Sequence, residues 1–225
     1  MKPMMAGSSV IRAMFEEGVK MAAVYGKENV YDFSLGNPNV PAPDCVKQAI
    51  LDILNEEDPV MVHGYMPNAG YVDVRTAVAE SLNRRFGMDY GPENILMTVG
   101  AASGLNDILK AILDPGDQVL TFAPFFVEYS SYVKNYDGEL VAVSPDTATF
   151  QPNLRELEER ISEKTKAVIV NNPNNPTGVV YPEETIRQMA DVLEKKSREI
   201  GHPIMLISDE PYRELVYDGV QVPYI

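Results

Sequence analysis

The sequence has 225 residues, 45% of them hydrophobic, and a formal net charge of -14; it can bury a sizeable core as one large domain or two small ones, and its field repels nucleic acid and anionic membrane surfaces. A single cysteine, Cys45, excludes an internal disulfide and points to a reducing compartment, and two histidines far apart, His63 and His202, leave little for a zinc site or a Ser-His-Asp arrangement. No apolar run approaches the length of a membrane span and residues 1–10 lack a signal-peptide core, so the sequence reads as soluble and cytoplasmic, with no metal site.

Apolar residues at Val10, Ile11, Met14, Phe15, Val19, Met21, Ala22 and Ala23 predict an amphipathic helix over 8–25, with Ser8 or Ser9 as its cap. Residues 30–38 read as a short strand that stops at a turn around Gly36. Asp44 is the expected cap of a helix to Asn55, with Val46, Ala49, Ile50 and Ile53 on one stripe. A loop over 63–70 leads into a helix over 72–86, and its Tyr65 reads as an anchored amphipathic side chain.

Residues 93–99 read as the first strand of the larger domain, turned by Gly100-Ala101-Ala102-Ser103-Gly104 into a helix carrying Leu105, Ile108, Leu109, Ile112 and Leu113. Small residues at a helix start leave backbone N–H groups free at the positive end of the dipole, which suits a phosphate. The spacing is not a dinucleotide fingerprint, and a plain strand-to-helix turn explains the residues as well. A strand over 117–122 ends at Ala123-Pro124-Phe125-Phe126, whose rings read as core. A strand over 139–144, a helix over 153–162 and a strand through Val168 follow. Pro182 opens a long helix to Ile200 with acids near its start and bases near its end, a pattern of helix stability.

Two strand ends carry the functional signal. The run Ala167-Val168-Ile169-Val170 closes in Asn171-Asn172-Pro173-Asn174-Asn175-Pro176-Thr177-Gly178, and Ile204-Met205-Leu206-Ile207 closes in Ser208-Asp209-Glu210-Pro211-Tyr212. Prolines stiffen the first loop, and in a parallel sheet ligands sit beyond the carboxyl ends of strands, so Asn175 and Asp209 are expected to be neighbours. On its own Asp209 reads equally well as a helix cap.

In this order and at this separation the two motifs resemble the class I/II aminotransferases of the pyridoxal-phosphate fold type I superfamily, which are aspartate aminotransferase-like. The resemblance runs from Gly36 to Tyr212. It implies an α/β fold: an incomplete large domain over 46–225, a mostly parallel sheet between helices, preceded over 1–45 by an N-terminal segment of a small domain. It implies pyridoxal 5'-phosphate as cofactor, an amino acid and a 2-oxo acid as substrates, and a homodimer in the full-length form. Carried over by residue, it makes Gly100, Ala101 and Ala102, with Ser103 beside them, the phosphate cup. Phe126 becomes the ring stacked on the pyridine, with Phe125 as packing. Asp209 becomes the carboxylate beside the pyridine nitrogen, and Asn175 and Tyr212 the donors to the phenolic oxygen. Tyr65 would reach the phosphate of the other subunit's cofactor, and the Gly36 backbone would approach the substrate carboxylate.

The sequence departs from the family where the reacting group is due. The resemblance implies a Schiff-base lysine downstream of Asp209, and no lysine follows Asp209; no catalytic residue is assigned. The later arginines for the cofactor phosphate and substrate carboxylate are missing as well. The expectation is a C-terminally truncated aminotransferase, inactive by itself. Two strands of the family sheet, expected between the strand of Ile95 and that of Val168, would be absent, leaving apolar edges and a chain that is poorly stable or associates. Two other readings stay open: another fold type I enzyme such as a carbon–sulfur lyase, and a non-catalytic fragment that binds cofactor or a partner.

Overall fold

A computed structural model describes residues 10–34, 36 and 40–225. Residues 1–71 and 72–225 cluster as separate units. The first holds helices α1 (Val10–Tyr25), α2 (Asp44–Glu56) and α3 (Pro59–Val62). The second holds α4 (Val72–Phe86), α5 (Gly100–Ile112), β1 (Gln118–Phe122), α6 (Glu128–Lys134), β2 (Glu139–Val143), α7 (Leu154–Arg160), β3 (Thr165–Asn171), α8 (Glu183–Ile200) and β4 (Met205–Asp209).

The four strands form one sheet in the order β2-β1-β3-β4, parallel throughout. Parallel neighbours require crossovers, and α6, α7 and α8 supply them. Successive side chains of a strand point to opposite faces. Leu120, Phe122, Val168 and Val170 therefore pack on one side with Leu157 of α7 and Met189 and Leu193 of α8. Val119, Ala167 and Ile169 pack on the other with Leu105 and Leu109 of α5 and Tyr129 and Val133 of α6. A sheet covered on both faces explains the near-continuous apolar runs that the sequence shows. Each fully buried Leu, Ile or Val contributes roughly 1.5–3 kcal/mol relative to exposure.

Several expectations need correction. Ser8 and Ser9 lie outside the described residues, as do Leu35, Asn37 and Pro38. The described residues of 30–36 form no strand. Instead Asp32 accepts hydrogen bonds from the Ser34 N–H (2.9 Å) and Oγ (2.6 Å), a local side-chain turn that competes with a ladder. Asp44 is not the cap: Pro43 holds that position at φ -55°, ψ 144°, and Asp44 sits in the first turn, its charge at the positive end of the dipole. The stripe of α2 stays exposed at Val46, Ile50 and Ile53.

The strand expected over 93–99 is also absent. Pro92–Asn94 forms a single 3-10 turn, and Ile95 to Thr98 run on without strand pairing, with Leu96 and Val99 exposed. An extended segment without a neighbour to exchange backbone hydrogen bonds is not a strand, whatever its composition. The strand of Val168 has no gap beside it, since β1 and β4 flank it; the free edges are those of β2 and β4, and Met205 of β4 is half exposed. The helix α6 was not anticipated at all.

Candidate active site

The carboxyl ends of β3 and β4 lie level, because Asn171 and Asp209 are register partners. Asn171 fastens the two ends together. Its Nδ2 donates to the Asp209 carbonyl at 2.9 Å, and its Oδ1 accepts the Asn175 N–H at 2.5 Å. The loop after β3 is held by its own asparagines. Asn174 Oδ1 accepts from the Thr177 N–H and Oγ1, and buried Asn172 accepts the Tyr181 N–H at 2.8 Å. Gly178, at φ 71°, closes the turn by donating to the Asn174 carbonyl at 2.7 Å. What remains free to point outward is the Asn175 amide, whose Nδ2 donates to the Tyr212 hydroxyl at 3.3 Å.

Asp209 is met from the neighbouring helix. The hydroxyl of Tyr129, a wholly buried residue of α6, donates to Asp209 Oδ2 at 2.5 Å. Burial raises the Asp209 carboxyl above the usual carboxylate range; the Tyr129 hydrogen bond offsets part of this, and the charge of Glu210 adds to it. Burial, then the Asp209 bond and charge, push the Tyr129 phenol far above its ordinary value, so it stays a donor. Phe126 meets the Tyr129 ring edge-on, centroids 5.7 Å apart, and Phe125 stacks on it at 6.5 Å.

Helix α5 contributes its N-terminus. Gly100 opens it at φ 78°, and Val99, at the cap, offers no side-chain acceptor. The Thr98 hydroxyl bonds the Gly100 carbonyl (3.1 Å) rather than a helix N–H. The first-turn N–H groups of Ala101, Ala102 and Ser103 thus form an uncapped, partially positive terminus suited to an anion.

These pieces line one open pocket: Ala101, Ala102 and Leu105 of α5, Phe126, Tyr132, Asn171, Asn175, Asp209, Pro211 and Tyr212. Of the residues singled out in the sequence, Ala101, Ala102, Phe126, Asn175, Asp209 and Tyr212 come together here. Gly100 stands at the start of α5 and is not part of the lining. Gly36 and Tyr65 belong to the first unit, where both are exposed. Tyr129 and Tyr132 escaped the sequence reading. Their spacing of three residues after an aromatic pair was the available signal, and it is indistinguishable from ordinary helix packing.

The family model for aminotransferase class I and II matches residues 28–223. A probable aspartate/prephenate aminotransferase of Thermus aquaticus is 39% identical over 186 residues, covering 82% of this chain and 46% of that protein. An aspartate aminotransferase of Pyrococcus horikoshii is 33% identical over 214 residues, 95% of this chain and 51% of that protein. Among solved structures, an aminotransferase from Eubacterium rectale superposes with a TM-score of 0.94 at 49% identity, covering 99% of this chain and 57% of that one. Aspartate aminotransferase from Thermus thermophilus with maleate gives 0.84 at 31%, covering 99% and 56%. The chain spans about half the length of the curated relatives it matches.

The cofactor of these proteins is pyridoxal 5'-phosphate. The residues present fit such a group chemically: uncapped helix N–H groups for a phosphate, an aromatic ring for a flat heterocycle, a half-buried carboxylate for a ring cation, and an amide and phenol for a phenolic oxygen. The sheet of parallel strands between helices is that of fold type I, and the chain belongs to the class I and II aminotransferase family.

Proposed function

We propose that the complete protein is a pyridoxal-phosphate-dependent aminotransferase, moving an amino group from an amino acid to a 2-oxo acid, and that this chain supplies most of the cofactor cleft. The observation that carries this reading is the convergence of Asp209, Asn175, Tyr212 and Phe126 with the N-terminus of α5 in one pocket. When bound, the cofactor supplies an electron sink for bond breaking at the substrate α-carbon. Asp209 places negative charge where a ring nitrogen is to stay protonated. Asn175 and Tyr212 donate to the phenolic oxygen and hold it as an anion. Phe126 offers a flat apolar face, contributing about 0.5–1.5 kcal/mol beyond burial. Ala101 and Ala102 receive the phosphate on backbone N–H groups, while Gly100, whose own N–H donates to the Thr98 carbonyl at 3.0 Å, makes the turn that presents them.

In the same reading residues 1–45 belong to a small domain and 46–225 to the large one. The Gly36 backbone approaches the substrate carboxylate, and Tyr65 serves the neighbouring subunit of a cytoplasmic homodimer. Relatives named for aspartate, aspartate/prephenate and aromatic amino acids support an amino acid as substrate class. The absence of lysine after Asp209 supports a narrower statement about these 225 residues: alone they bind cofactor without turnover.

Equilibrium dialysis of the purified chain against pyridoxal 5'-phosphate tests the site. One equivalent is expected to bind, with at least about a tenfold loss of affinity in Asp209→Ala, the scale of a lost charge-assisted contact. Absence of saturable binding overturns the reading. For the complete protein, amino-acid consumption is expected to require a 2-oxo acid acceptor; product release without one indicates a lyase instead.

A further inference from the structure

We infer that Tyr129 is a positioning residue, which turns Asp209 toward the cleft and keeps it an ionised acceptor. The inference rests on the aminotransferase reading of the pocket. Tyr129 does not line that pocket, yet it touches two groups that do. Its hydroxyl donates to Asp209 Oδ2 at 2.5 Å, and its ring takes the edge contact with Phe126. With Oδ2 occupied, the carboxylate can turn only about the axis that this bond fixes, and Oδ1 is the oxygen left for a ligand. Among the described residues no other side chain donates to the Asp209 carboxylate.

The neighbours of Asp209 make this bond necessary. The groups that bear on its charge are Glu210 on its own segment and Tyr129 and Tyr132 on α6. None of these is a cation. The Glu210 carboxylate is itself paired with Arg213 and accepts from the Ser208 hydroxyl, so that cation is engaged by Glu210. A half-buried carboxylate in this setting would take up a proton at the expense of its role, and the Tyr129 hydroxyl is the one group that opposes this. Tyr129 is suited to the task because its phenol is wholly buried and remains protonated: the donation runs in one direction only.

The test compares the wild-type chain with Tyr129→Phe, which keeps the ring against Phe125 and Phe126 and removes only the hydroxyl. Without cofactor, the Asp209 carboxyl is titrated by carbon-13 NMR. Its midpoint is expected to move to higher pH in Tyr129→Phe; an unmoved midpoint overturns the inference. In pyridoxal 5'-phosphate titrations near neutral pH the same variant is expected to bind about tenfold more weakly, the effect of losing one bond to a charged group. In an Asp209→Asn background the substitution should then have little further effect, because the two changes act through one contact. Equal losses in both backgrounds overturn the inference. If the wild type fails to bind the cofactor, the functional reading falls, while the carboxyl titration still decides the Tyr129–Asp209 pair. Should Tyr129→Phe fail to fold, the wild type decides alone: the Tyr129 hydroxyl proton is expected as a slowly exchanging downfield resonance that shifts as Asp209 titrates, and its absence overturns the inference.

Discussion

Asn171 and Asp209 face each other at the ends of β3 and β4, and the Asn171 side chain bonds the Asp209 carbonyl with one end and the Asn175 N–H with the other. One amide thereby sets the spacing between the two loops that carry Asn175 and Asp209. Asn171→Ala leaves a carbonyl and an N–H without their partners, in a residue that is 4% exposed. The expected cost is about 1–3 kcal/mol in urea unfolding, together with weaker cofactor binding. Unchanged stability would show that water replaces both bonds.

The raised Asp209 carboxyl makes a prediction about pH. A group that binds its proton more tightly folded than unfolded favours the folded state at low pH, and that contribution is lost as pH rises through the folded-state value. The window opens near the ordinary carboxyl value of 3.8 and extends upward. Asp209→Asn has no such titration. Relative to this variant, the wild type is expected to lose stability as pH climbs from about 4 through the range where Asp209 ionises. Parallel stability curves for the two proteins would refute this.

Gly100 is held at φ 78°, yet a Cβ there would meet no atom within 4 Å. Gly100→Ala therefore isolates backbone conformation from crowding. It is expected to cost about 1–2 kcal/mol in thermal or urea unfolding and to lower phosphate affinity at the α5 terminus. A neutral result would mean that the turn relaxes to negative φ without loss.

Arg213 anchors the segment that follows Tyr212. Its guanidinium pairs bidentately with Glu210, donates to the Val222 and Pro223 carbonyls at 3.0 and 2.9 Å, and lies about 5 Å from the Phe86 and Tyr224 rings, with only 10% of the side chain exposed. Arg213→Ala strands a mostly buried carboxylate and two carbonyls, and is expected to destabilise by about 3 kcal/mol or more. Arg213→Lys should not rescue it, since an ammonium cannot match the planar fork. A calorimetric scan of both variants checks this.

What was legible in the sequence follows a physical divide. β3 announces itself because a strand buried on both faces is written as an apolar run, β4 because Ile204 to Ile207 form a second such run although it lies at an edge, and Asn175 and Asp209 follow from where these strands end. The start of α5 was legible from its small residues. Residues 95–98 misled, because their composition suits a strand but strandhood needs a partner that composition cannot reveal. Tyr129 was illegible for a related reason: its partner lies 80 residues away, and nothing local distinguishes a tyrosine that packs from one that also holds a carboxylate.

The bonds that assemble the pocket span long stretches of chain: 38 residues between Asn171 and Asp209, 48 between Thr121 and Ile169 beneath them, and 80 between Tyr129 and Asp209. Contacts of such separation pay their loop-closure entropy before they return any stability, so they form late and slowly. The same separations of 38 and 48 residues join the paired strands themselves, so the cleft is acquired together with the sheet and not before it. A ligand of the finished cleft accordingly cannot guide the chain to its fold; it can only slow the chain's departure from it.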